Sequence, residues 1–129
     1  MARPIAAFLV VLTACPIGLP ACAQSANKTM VAGGTLRLGH YASANPDCSS
    51  KGRTIVRVSN APAHGMVLLR SGKDFSHFPS LPQCNAVRVE GVTAQYRSQR
   101  GYIGTDTVEL DIIYPSGNER TESFNITVK

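Results

Sequence analysis

Between residues 107 and 114 every second side chain is apolar: Val108, Leu110, Ile112 and Tyr114 fall on one face, Thr107, Glu109 and Asp111 on the other. That period of two is the mark of a half-buried strand. The same alternation returns in residues 122–128, with Phe124, Ile126 and Val128 inward, after a Pro-Ser-Gly-Asn turn at residues 115–118. The two segments are predicted to pair as a hairpin. Upstream, residues 53–59 turn Thr54, Val56 and Val58 inward and Arg53, Ile55 and Arg57 outward. Residues 65–70 turn Val67 and Leu69 inward, 86–90 Val87 and Val89, and 93–98 Ala94 and Tyr96. Residues 29–38 suggest a first strand broken by a bulge or turn at Gly33-Gly34. Residues 24–28 are polar and predicted to fray.

The spaces between these runs are rich in Gly, Pro, Ser and Asn, and two are long. Residues 39–52 and 71–84 read as loops, carrying Cys48 and Cys84 respectively. Beyond the leader no segment holds an apolar 3.6-residue period over ten residues. Short alternating strands joined by turns predict an all-β chain folded as an immunoglobulin-like antiparallel β-sandwich with a long disulfide-tied loop. The expected core is Val56, Val58, Val67, Leu69, Tyr96, Val108, Leu110, Ile112, Phe124 and Ile126.

The N-terminus has a different character. Arg3 precedes an apolar stretch from Ile5 to Ala14, and Ala21-Cys22-Ala23 offers a small-residue cleavage site. This is the layout of a secretory signal peptide over residues 1–23, leaving one domain over 24–129. The stretch is too short for a transmembrane segment, which needs roughly 20 apolar residues. Leu12-Thr13-Ala14-Cys15 offers a second processing route, a lipid anchor at Cys15. The expected location is periplasmic or secreted. In an oxidising compartment the pair left after cleavage, Cys48 and Cys84, reads as a disulfide. It closes a loop of about 36 residues, for which chain entropy gives roughly 4 kcal/mol.

Charge adds little until the alternation is applied to it. The chain carries a net charge of +5, and losing Arg3 with the leader leaves about +4. Strand parity sends Arg53, Arg57, Arg70, Arg88 and Arg97 outward. If they share one face, they form a docking surface for an anionic partner such as an acidic glycan, lipid headgroups or an acidic protein.

Two stretches carry a resemblance. Ala61-Pro62-Ala63-His64-Gly65-Met66-Val67 resembles the Pro-x-His-Gly-x-Val opening of bacterial immunoglobulin-like and cadherin-like repeat domains. Gly101-Tyr102-Ile103-Gly104-Thr105-Asp106-Thr107-Val108 is similar to their Gly-Tyr/Phe-x-Gly-x-Asp stretch, and Tyr96 matches the aromatic of their Tyr-x-Pro strand. The resemblance runs from about Ile55 to the C-terminus. It implies a small stand-alone exported version of an adhesive or spacer module.

Chemistry-bearing motifs are sparse. His40, His64 and His77 lack the spacing of a zinc site. His64 and Met66, two apart, could face copper together, but the motif around them reads as turn chemistry. Asp106 reads as a turn-fixing carboxylate, with calcium as the alternative. Glu109 and Asp111 read as a solvated strand face. There is no Gly-x-Ser-x-Gly, no phosphate loop and no nucleic-acid motif, and nothing argues for an enzyme or a cofactor. The expected function is a non-catalytic exported binding module for a protein, glycan or envelope polymer. The alternative is a small inhibitor or accessory subunit that plugs a partner enzyme with the 71–84 loop.

Overall fold

A computed structural model describes residues 23–129. The expected signal peptide and the alternative anchor at Cys15 lie outside the described residues. The rest forms strands β1 (Ala23–Met30), β2 (Thr35–Tyr41), β3 (Ile55–Asn60), β4 (Gly65–Phe75), β5 (Arg88–Ser98), β6 (Gly104–Ile113) and β7 (Glu119–Val128). They make two packed sheets, ordered β1-β7-β6-β3 and β2-β5-β4. Apart from β1, which joins the other sheet, this is the strand order of a constant-type immunoglobulin sandwich.

The β6–β7 hairpin pairs in the register the alternation requires, with Val108 opposite Phe124. Its inward rows, with Leu38, Tyr41, Val56, Ala94 and Tyr96, form the main core. Val108, Leu110, Ile112, Phe124 and Ile126 are all buried, as expected. Val67 is partly buried against the core, and two expected core residues are exposed: Val58 at 37% and Leu69 at 39%. Their direction was read correctly, since Val58 pairs with Leu110 and Leu69 with Ala94. Both lie on strands that end their sheets on the same side, so no further strand among the described residues covers them.

Residues 24–28 do not fray. They belong to β1, which runs parallel to β7 from Ala23 opposite Thr121 to Met30 opposite Val128. An edge strand held by its backbone needs no apolar alternation. The Asn125 amide also donates to Ser25 Oγ and Asn27 Oδ1. The sandwich is therefore antiparallel except at this edge. The expected broken first strand is two strands in opposite sheets, separated by a turn with Gly33 at φ +78°.

The first five residues of the expected 71–84 loop are strand, because β4 runs on to Phe75. The two short strands expected at 86–90 and 93–98 are one, β5. Gly91, within β5, is there for close packing: a Cβ would run into the Tyr41 carbonyl and lie 2.8 Å from Ala42 Cβ and His40 Nε2. Val87, expected inward, precedes β5 and is exposed.

The distal part of the β4–β5 hairpin and residues 76–87 form an arm. It folds back on β2, where Ser76 Oγ donates to the His40 carbonyl at 2.8 Å. Cys48 and Cys84 are disulfide-bonded, with their Cα atoms 5.3 Å apart. They sit in a second small core with Ala42, Ala44, Phe78 and Val89. His40 is buried beneath the arm. Its Nε2–H donates to the Val89 carbonyl (2.9 Å), a group that can only accept, so Nδ1 is left to accept from Thr93 Oγ1 (2.8 Å).

Candidate functional site

The inward rows of β6 and β7 continue beyond the apolar core. On β7 the row of Val128, Ile126 and Phe124 runs on to Glu122 and Arg120, which pair with Leu110 and Ile112 of β6. On β6 the row ends at Tyr114, just past the strand. From the facing sheet β2 contributes Tyr41, inward beside Val92. The result is a polar layer between the sheets, open to solvent as a cleft of about 610 Å³ with Arg37, Phe75 and His77 on its arm side. That volume falls within the range of small-ligand sites.

The charges in this layer are spoken for. Arg120 donates to Glu122 Oε1 at 2.6 Å, and the Tyr41 hydroxyl donates to Oε2 at 2.5 Å. The Arg120 guanidinium also lies over the Tyr114 ring, 5.9 Å from its centroid. Burial and the bond to Glu122 push the Tyr41 hydroxyl far above its ordinary range, so it stays a donor. Burial raises Tyr114 too, against the opposing Arg120 charge. On the arm side Arg37 donates to the Phe75 carbonyl at 2.7 Å and pairs with Asp74 at 3.6 Å. Each arginine thus has its own carboxylate. Arg120 Nε is buried and without a partner among the described residues, a donor at the cleft floor.

The five arginines expected to define an anionic docking face are dispersed. Arg70 and Arg97 share the outer face of the β2-β5-β4 sheet, where Arg70 pairs with Thr93 and Arg97 with Met66. Arg57 lies on the outer face of the other sheet, opposite Asp111. Arg53 stands just before β3. Arg88 lies on the arm, donating to the Lys73 carbonyl at 3.1 Å. Only two of the five therefore share a sheet face.

The two motif stretches come together in one structural joint. The Asp106 carboxylate accepts from the backbone N–H groups of Ala63 and His64 at 3.0 Å, of Thr107 at 2.9 Å, and from the Tyr96 hydroxyl at 2.7 Å. Burial pushes this carboxyl up, but the Tyr96 hydroxyl and the three N–H donors outweigh it and hold it below the usual carboxylate range. The turn it fixes is the distant β3–β4 turn rather than its own. His64 stacks flat on Tyr102, ring centroids 4.0 Å apart. Glu109 and Asp111 accept from Ser59, Ser123 and Thr121 on the face away from the core.

Tyr41, Tyr114, Arg120 and Glu122 were not expected as a site. A signal for them existed: Arg120 and Glu122 share the parity of Phe124 and Ile126, so an extended strand 7 would point both into the sandwich. No family model, curated protein or solved structure matches the chain.

Proposed function

We propose that this chain is an exported, non-catalytic binding module whose cleft between β2 and β7 holds a polar, uncharged ligand, a segment of glycan. The observation that carries this reading is the internal pairing of the cleft charges. Arg120 with Glu122, and Arg37 with Asp74, leave no net charge for an ionic ligand to neutralise. What remains available is aromatic surface from Tyr114 and Phe75, and hydrogen bonding at the rim of the charged pairs. Such a mixture suits the hydroxyls and C–H faces of a sugar. The disulfide supports export, since such bonds persist in oxidising compartments. The joint between the Pro-x-His-Gly turn and Asp106 supports kinship with bacterial immunoglobulin-like and cadherin-like domains, because it gives both resembling stretches one physical role.

The test is a titration of the full chain with a panel of neutral tetrasaccharides, followed by amide NMR. The expected result is saturable binding that perturbs the amides around Tyr41, Tyr114 and Arg120. Binding should change little with salt, since screening acts on net charge, and should weaken roughly tenfold in Tyr114→Ala. Steeply salt-dependent binding to anionic polysaccharide, or shifts confined to other surfaces, would defeat this reading. Capture of a single enzyme through the arm around the exposed Phe75 would favour the inhibitor instead.

A further inference from the structure

The open side of the sandwich, between β3 and β4, tells a different story from the cleft. Val58 and Leu69 point inward by register yet are more than a third exposed. Between them runs a seam lined by Thr54, Val56, Leu69 and Val92, with Arg53 at its mouth. Thr54 is only 4% exposed, and its Oγ1 has no hydrogen-bond partner among the described residues. Buried polar atoms without partners are rare in native structures. The inward rows and this orphaned hydroxyl are what a sandwich shows where a neighbouring strand is missing.

Edge strands are normally guarded against pairing, and the four edges here differ. β1 is mostly polar, with Lys28 near its end. β2 breaks its register between Arg37 and Gly39, and β3 between Val58 and Asn60. β4 carries its charges, Arg70, Lys73 and Asp74, only from its sixth residue on. It pairs with β5 over its full eleven residues without a shift, and residues 65–69 contain no charge and no proline. That first half of its free edge is a regular, apolar template.

The surrounding charge selects among occupants. Arg70 and Arg97 lie on the outer face beside this edge and Arg53 lines the seam, against Glu90 near the seam and Asp74 at the far end of β4. A second copy of the chain would bring the same arginines together. An acidic segment would find partners.

We propose that the free edge of β4 receives an extended segment of a partner protein by strand addition, with alternate apolar side chains entering the seam beside Leu69 and Val58 and acidic ones lying outward beside Arg70. Main-chain hydrogen bonds to β4 supply the affinity, and the alternation supplies the choice of partner. This surface is separate from the glycan cleft and uses none of its residues.

The probe is a labelled heptapeptide alternating valine and aspartate, compared with one alternating valine and lysine, each titrated by fluorescence anisotropy against the full chain. The acidic peptide should bind roughly tenfold more tightly, the size of one charge-assisted hydrogen bond. It should slow amide exchange across residues 65–71. Arg70→Glu should reverse the order of the two peptides, and Leu69→Lys should abolish both. Both substitutions alter exposed side chains, and unchanged tetrasaccharide titration in each would certify the fold. Equal binding of the two peptides, no binding, or protection outside β4 would overturn the proposal. So would a concentration-dependent dimer dissolved by Leu69→Lys, which would assign the edge to a second copy.

Discussion

The two flanks of the sandwich end their inward rows in opposite ways. On the β2 flank the rows of β6 and β7 run out into Tyr114, Arg120 and Glu122, and Tyr41 reaches across from the other sheet to bond Glu122. The apolar rows there are closed by polar side chains, of which Glu122 bonds both Arg120 and Tyr41. On the β3–β4 flank the rows end in Val58 and Leu69, and no strand among the described residues lies beyond them. The sheets are tied there at one end only, through the turn that Asp106 holds. The contrast shows that inward direction and burial are separate properties. Strand parity sets the first, and the presence of a neighbouring strand sets the second.

The largest expected effect tests whether the flanks are energetically independent. Replacing both cysteines, Cys48→Ser with Cys84→Ser, frees a loop of 36 residues and should cost about 4 kcal/mol. Thermal melting should fall by roughly 15–25 °C. Hydrogen exchange should rise first in the arm and around the cleft, leaving β3 and residues 65–70 of β4 protected. Equal loosening of both flanks would break the comparison.

The second effect concerns the pin of the open flank. The carboxyl of Asp106 is held below its ordinary value in the folded chain. Its contribution to stability is therefore complete above the unfolded carboxylate value near 3.8, and it is lost as pH falls through the lower folded value. Asp106→Asn presents an amide where four donors converge and should cost about 2–3 kcal/mol at neutral pH. Urea unfolding from pH 7 to pH 2 should show the mutant's deficit shrinking in acid. A deficit constant with pH would mean that the carboxylate charge is irrelevant to the turn.

The smallest effect sharpens the contrast directly. Tyr41→Phe strands one oxygen of Glu122 and should cost about 1–2 kcal/mol. Leu69→Ser, on the open flank, should cost under about 1 kcal/mol, because its side chain loses little burial. Comparable losses in chemical denaturation would show that the β3–β4 flank is a closed core after all.

Much of the architecture could be read from the chain, for reasons visible in particular residues. The β6–β7 hairpin was legible because Val108 to Ile112 and Phe124 to Val128 alternate without interruption. The disulfide was legible because Cys48 and Cys84 were the pair left once residues 1–23 were read as a leader. β1 was not, because a parallel edge strand held by backbone bonds and Asn125 carries no apolar period. The arm was not, because glycines and prolines signal loops whether or not the backbone between them pairs. The cleft was half legible: Tyr114 was placed inward, but Arg120 and Glu122 were passed over because charge is usually assigned outward. The arginine face failed for a simpler reason, since alternation fixes the direction within a strand and says nothing about which sheet the strand joins.

The pairing of β1 with β7 also sets an order of events. Asn27 and Asn125 meet across 98 positions of chain, whereas β4–β5 and β6–β7 are joined by local connections. Contacts of such long sequence separation form late. In a chain emerging N-terminus first, β1 must wait for nearly all the rest. Its polar composition keeps it from pairing wrongly meanwhile. Gln24, which lines the cleft, arrives at its place only with that closing step. The cleft is therefore completed only when that last strand docks.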